Sequence, residues 1–315
     1  MRKKIFCGLL IFLSMSVMSV WGWENKAANE MLLKAVKNLN LEGLEEAISE
    51  GANINCMDAN DKSALMLACE IQWYQGIKRL VQEGASVSFK NKLGQNALMF
   101  AAKYIDNSTT LALLVDSGIP NIDDTDAQKK TALMYAVENK GLNALDLLLR
   151  RGANTGKTDL GGNDALIWAV KQKNKNAVKR LLEQGFVNWS QADEGGNTAF
   201  MVACENKSHD IVRMMVTGNS DFDFAYKTHT GLPILLWLID KRQSITIINY
   251  VLEYFPGTYA DLTAMTDDFG NDIYYYAENR ENYTVLDKLA VMKEKYIANQ
   301  KRLEERRKAR KEGNK

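Results

Sequence analysis

TALMYAVENKGLNALDLLLRRGAN, residues 131–154, holds two apolar helical segments and the turns that bound them. Thr131 stands where a helix N-cap belongs, its hydroxyl able to accept from free backbone N–H groups. An apolar helix follows, then a polar turn at 139–141 and a second apolar helix over 142–149. Gly152-Ala153-Asn154 closes the block, with Gly152 just past the second helix, where a left-handed residue is needed and only glycine enters without steric cost. A hairpin of two short helices cannot bury its own apolar faces. It needs neighbours of the same shape.

Working outward, the neighbours are there. Helix openings like Thr131-Ala132-Leu133-Met134 recur with first members at 63, 96, 131, 164, 198, 232 and 272, stepping by 33, 35, 33, 34, 34 and 40. The closing glycines at 51, 84, 118, 152, 185 and 218 step by 33, 34, 34, 33 and 33. Two independent landmarks thus keep one period. A period near 33 with this order of parts resembles the ankyrin repeat.

The resemblance runs from Asn29 to about Met292. The family's Thr-Pro-Leu-His helix start is matched loosely: Ala replaces Pro in most copies, and Met66, Met99, Met134 and Met201 stand where His is usual, so Met packing is expected there. The Asp-x-x-Gly turn before each helix is clearest at 159–162, 193–196 and 267–270, and the Gly-Ala-Asn closure at 51–53 and 152–154. The implied fold is an all-α repeat solenoid of stacked helix-turn-helix units joined by short β-hairpin loops. The implied organisation is a signal peptide at 1–22, a repeat domain at 23–292 and a charged tail at 293–315. Within the domain an N-terminal cap covers 28–51, its helices expected at 31–38 and 41–49, and seven units start near 58, 91, 126, 159, 193, 227 and 267. A cap needs a polar outer face, and Lys34, Lys37, Glu42, Glu45 and Glu46 supply one. The unit over 224–257 departs most, with Pro233 in its helix start and extra length before the next copy. Drift near the end of the stack accounts for this, with a contact loop around Tyr254 to Tyr259 as the alternative.

A chain of 315 residues, 46% hydrophobic, can bury a large core, and a solenoid does so as a strip without an internal domain boundary. The net charge of +1 is unevenly spread. Residues 293–315 hold ten Lys or Arg against four Glu, a balance of +6, and the first four residues add +3, which leaves about −8 for the rest. Arg2, Lys3 and Lys4, an uncharged apolar run over 5–20 and small residues near Gly22 form the layout of a secretory signal, with cleavage after Gly22. The run of 16 residues is shorter than the roughly 20 that span a bilayer, which disfavours the alternative of an uncleaved membrane anchor. Cys7 lies too near the charged start to accept a lipid. The expected location is the periplasm or the extracellular space, and the short Lys-rich signal points to a bacterium. The basic tail is read as an extension of the last helix, with weak contact to anionic lipid as a second use.

Catalysis needs converging titratable groups. The two histidines, His209 and His229, sit in different repeats. Ser208-His209-Asp210 is read as a helix start, with Ser208 as N-cap and Asp210 in the first turn. Cys69 and Cys204 follow the same repeated Ala and are expected to be buried, about four repeats apart, leaving Cys56 as the reachable thiol. No phosphate-binding loop, dinucleotide fingerprint or zinc-protease motif occurs. The expectation is a protein that is no enzyme, with no cofactor, metal, small-molecule substrate or nucleic-acid ligand.

Proteins of the resembled family bind protein partners through hairpin tips and the exposed ends of the first helices. Carried over by position, the candidate partner-binding residues are Lys92, Leu93, Leu160, Glu194 and Phe269 on tips, with Ala59, Asn60, Ala127, Gln128 and Asp268 beside them. Glu70, Ile71, Lys103, Tyr104, Glu138, Asn139, Lys171, Gln172, Glu205 and Asn206 are the first-helix ends. Leu93, Tyr104, Leu160 and Phe269 are the expected anchors, since a large apolar group at a polar tip or helix end has no core to serve. The resemblance thus implies a protein-binding scaffold; a membrane-associated adaptor and an effector acting on a foreign cell's proteins are the alternatives.

Overall fold

The computed structural model describes residues 25–118, 121–139, 141–183, 188–217, 222–224 and 226–312, with side chains through Arg306. The expected signal at 1–22 lies outside the described residues, as do Gly185 and Gly218. Packing groups the chain into two compact units, one through Asn154 and one from Thr155, where the repeat period marks no boundary.

The first unit contains α1 (Lys26–Lys37), α2 (Leu41–Ser49), α3 (Ala64–Glu70), α4 (Tyr74–Gln82), α5 (Ala97–Tyr104), α6 (Ser108–Asp116), α7 (Ala132–Glu138) and α8 (Asn143–Arg150). The second contains α9 (Ala165–Lys171), α10 (Lys175–Glu183), α11 (Ala199–Glu205), α12 (His209–Thr217), α13 (Ile234–Asp240), α14 (Ile245–Tyr254), α15 (Tyr259–Thr263), α16 (Ile273–Asn279) and α17 (Tyr283–Glu312). No strand occurs among the described residues. Isolated antiparallel bridges such as Met57 to Ser63, Thr125 to Thr131 and Ala192 to Thr198 close the hairpins ahead of first helices.

Local chemistry sets each helix start. Ser63, Asn96, Thr131, Asp164 and Thr198 each accept from the backbone N–H three residues on, at 2.7–3.4 Å. α1 begins at Lys26 rather than Met31, because Asn25 caps it by accepting from the Ala28 N–H at 3.2 Å. Pro233 stands just before α13 instead of in its first turn.

Residues 64–69, 132–137 and 199–204 are buried throughout, each packed against its hairpin partner and the first helix of the preceding repeat. Ala68, Ala101, Ala136, Ala169 and Ala203 are fully covered, and at this repeated position a larger group would hold the helices apart. Met66, Met99, Met134 and Met201 are buried as expected, each contributing on the order of 2 kcal/mol by leaving water. Cys56 departs from expectation: it is buried with Cys69 and Cys204, its thiol 3.9 Å from the Asn29 carbonyl.

The long unit resolves into an added element. The residues beyond α14 form α15, opened by a reciprocal cap in which Thr258 and Asp261 serve each other. Tyr259 on α15 lays its ring 5.9 Å from Tyr296 and its hydroxyl 2.7 Å from that of Tyr274. α15 is a brace for the long α17, whose Val285 and Leu289 are the buried anchors.

Candidate functional site

Every hairpin tip is held by its first residue. In Asp58, Asn91, Asp126, Asp193 and Asp267 one side-chain oxygen accepts from the backbone N–H groups two and four residues on, at 2.8–3.1 Å. In the aspartates the second oxygen is served in two ways. Where an aromatic donor stands nine residues on, it reaches back: Tyr135 to Asp126 at 2.7 Å, Trp168 to Asp159 at 2.8 Å and Tyr276 to Asp267 at 2.8 Å. Where that position is apolar, a lysine from the preceding first helix arrives, Lys37 facing Asp58 at 3.3 Å and Lys171 facing Asp193 at 2.9 Å. Burial pushes the Asp58 and Asp193 carboxyls up, but these backbone and lysine donors outweigh it and hold both below the usual carboxylate range.

In the first unit these contacts build a groove of about 210 Å³ across α3, α5 and α7. Phe100 and Tyr135 form its floor and cations lie over the rings: Lys62 at 5.6 Å from the Phe100 centroid, Lys130 at 5.5 Å and Lys103 at 5.8 Å from that of Tyr135. Lys103 also sits 5.6 Å from the Tyr104 ring. Each ammonium is paired as well. Lys62 meets Glu70 at 2.6 Å, and Glu138 takes Lys103 at 2.9 Å and Lys130 at 3.4 Å. Burial alone would lower the Lys103 pKa, but Glu138 overrides it and the group lies above its ordinary value. Gln95 donates to the Tyr135 hydroxyl at 2.8 Å, and burial followed by the Asp126 acceptor keeps that phenol protonated far above its usual range.

The groove brings together Glu70, Lys103, Tyr104 and Glu138 of the expected residues. Lys92 and Leu93 lie apart on a tip, Leu93 well exposed and its carbonyl accepting from Ala127 at 2.8 Å, and Ile71 is exposed beyond the end of α3. Asn139 is a correction. It is buried, and its amide donates to the carbonyls of Ala102 and Ile105 at 3.2 and 3.0 Å, splicing α7 to the preceding repeat. In the second unit Leu160 and Glu194 share one position on adjacent tips, joined by the Glu194 N–H to Gly161 carbonyl bond at 2.9 Å. Lys171 lies beside them, bonded to Asn163 and Asp193. Gln172, Glu205 and Asn206 mark helix ends nearby in sequence, and Phe269 stands alone at 90% exposure.

Sequence reasoning missed Lys62, Gln95, Phe100, Lys130 and Tyr135, which lie between tip and helix end. The nine-residue offset from turn Asp to aromatic was the signal that could have found Tyr135. His209 places its Nε2 3.1 Å from the Ser244 hydroxyl, but Asp210 is engaged by Lys175, and no described hydrogen bond joins a carboxylate to that ring. Among the described residues no group of three or more His, Cys, Asp or Glu could hold a metal ion, and no helix is long and apolar enough to cross a membrane.

The sequence matches the family described as Ankyrin repeats (3 copies) over residues 32–126, 74–159 and 133–228, more than half the chain. Among solved structures it resembles the ankyrin repeat domain of Bcl-3, described as a unique member of the IkappaB protein family. The TM-score is 0.62 and the identity 25%, with 70% of this chain and 97% of that one covered. No curated protein sequence matches significantly.

Proposed function

The chain belongs to the ankyrin-repeat family, and from that premise we propose that it is a non-catalytic scaffold that binds a partner protein in the groove of its first unit. One observation carries this reading: three lysines lie over two buried rings while Glu70 and Glu138 hold them in place. Such a surface is already ordered, so docking loses little side-chain entropy. It also offers both an aromatic floor and fixed charges, the combination that makes interface hot spots. Tyr104, half-buried at the groove rim, is the anchor, with Leu93 as an outlying apolar contact.

The protein is exported and works in the periplasm or outside a bacterial cell; the charged start, apolar run and small residues of 1–22 support this. The test places a photoreactive phenylalanine analogue at Tyr104, and in parallel at the exposed Lys78 on α4, in the cells that make the protein. One abundant protein crosslinked from position 104 and not from 78, on a chain whose N-terminus is Trp23, is the expected result. Equal labelling from both positions would sink the groove as the site. An intact Met1 would sink export with cleavage in favour of a retained anchor.

A further inference from the structure

The groove of the first unit holds its charges unequally. Glu70 gives both carboxylate oxygens to the Lys62 ammonium, at 2.7 and 2.6 Å, a closed one-to-one pair. Glu138 is instead divided between two cations, Lys103 at 2.9 Å and Lys130 at 3.4 Å. Of these five side chains Lys103 is the most exposed, at 36%. An ammonium carries three N–H donors, and the ion partner of Lys103 is this one shared carboxylate. The Tyr104 and Tyr135 rings, with centroids 5.6 and 5.8 Å away, attract its charge but offer it no further anion. Lys103 is therefore the cation in the groove with capacity left for a ligand.

The rings exclude the opposite choice. A partner's Lys or Arg would seek an aromatic face, but Phe100 already carries Lys62, and Tyr135 carries Lys103 and Lys130. A cation brought there meets like charge, which selects against it. Size narrows the ligand further. The groove's volume of about 210 Å³ exceeds the roughly 150 Å³ of a cavity that accepts benzene. It has room for one apolar side chain and a short polar one. Met99, Phe100 and Tyr104 supply apolar lining, while the Gln95 amide is spent on the Tyr135 hydroxyl at 2.8 Å.

Resting on the groove as the partner site, we propose that it reads an acidic side chain beside a branched apolar one. The partner's Asp or Glu carboxylate accepts from Lys103 at the rim, and the neighbouring apolar side chain fills the space among Met99, Phe100 and Tyr104. The carboxylate then continues an alternating row of charge through Lys103, Glu138 and Lys130, so water is displaced without stranding a charge.

The test uses the full chain carrying ¹³C-methyl methionine, with the Met99 signal as reporter and the buried Met201 of the second unit as reference. Three blocked peptides are titrated: acetyl-Ala-Glu-Leu-Ala-amide and its counterparts with Gln or Lys in place of Glu. The Glu peptide is expected to move Met99 and not Met201, to bind about fivefold tighter than the Gln peptide, the upper range for a half-covered ion pair, and to lose that margin in high salt. The Lys peptide is expected to bind weakest. Lys103→Gln should erase the preference for Glu over Gln, and Glu138→Gln, which frees the cations it divides, should widen it. A preference that survives Lys103→Gln, or one that Glu138→Gln narrows, would overturn the assignment to Lys103. Equal binding of the Glu and Gln peptides would overturn acidic selection while leaving the groove as a protein site. A Met99 signal that none of the three peptides moves would overturn both.

Discussion

At the scale of the residue, two carboxylates show how position sets charge. Asp164 caps α9 from a buried site, and burial outweighs the Ile167 and Leu166 N–H groups to raise its pKa to about 6. A folded pKa above the unfolded one near 3.9 means that Asp164 favours the folded state when protonated and loses that advantage as pH rises through 6. Asp164→Asn keeps a cap acceptor of equal quality. It should therefore raise stability at pH 7 by on the order of 1–3 kcal/mol and flatten the slope between pH 4 and 6 in urea titrations. A variant less stable than wild type at pH 7 would refute the buried-charge account. Asp267 has the opposite sign. Burial would raise it, but Asn271, Tyr276 and the Phe269 N–H hold it at about 2, so its contribution is present above about pH 4 and fades toward pH 2. Gly152 tests conformation alone. Its φ is +80° and an added Cβ would touch nothing within 4 Å. Gly152→Val should thus cost about 1–2 kcal/mol through the left-handed backbone, read as a lower melting midpoint; an unchanged midpoint would contradict that placement.

At the scale of the element, neighbours rather than propensity set lengths. First helices stop after two turns because the next residue must turn the chain back. The inner turn places Leu39, Gln72, Lys173, Lys207, Arg242 and Glu281 at positive φ, a recurring strain that non-glycine residues accept where packing fixes the geometry. α17 is the exception, running 30 residues. Beyond Met292 its described side chains are exposed except Tyr296, so α15 supplies the one ring that steadies this part. Tyr259→Ala should leave α16 intact while amide exchange over 293–300 speeds up by about tenfold, the factor that roughly 1.4 kcal/mol of lost contact provides. Exchange that rises equally in α16 would mean that Tyr259 supports the repeat core rather than the helix.

At the scale of the whole molecule, the thiols report opening. Cys56, Cys69 and Cys204 are all buried, and burial pushes the Cys69 and Cys204 thiols far above their ordinary range, away from the reactive thiolate. Native alkylation read by peptide mass spectrometry should leave the three unlabelled, with Cys56 and Cys69 appearing when the first unit unfolds and Cys204 when the second does. Rapid labelling of Cys56 alone in the native protein would restore it as a reachable thiol and contradict its burial beside Asn29. This measurement also asks whether the two compact units open at one denaturant concentration, which the repeat period by itself does not address.

The repeat period, the first-helix starts at Ser63, Asn96, Thr131, Asp164 and Thr198 and the closing glycines at 51, 84, 118 and 152 are local facts, written in those residues and their immediate neighbours, and the sequence determined them unaided. The family followed from the same landmarks, as did the burial of Cys69 and of the four repeated methionines. What lay beyond reach depends on side chains that meet across some thirty residues. A Lys or Glu at a helix end reads as a free surface charge until the next repeat places a partner against it, as Glu138 is placed between Lys103 and Lys130. Asn139 reads as an exposed turn residue until the Ala102 and Ile105 carbonyls are found within its reach. Phe100 and Tyr135 carry no signal of a site along the chain until the lysines above them make a groove. Patterning along the chain fixes which face of a helix is apolar. Only the stacking of one repeat on the next fixes which polar groups are used up there and which are left to meet a partner.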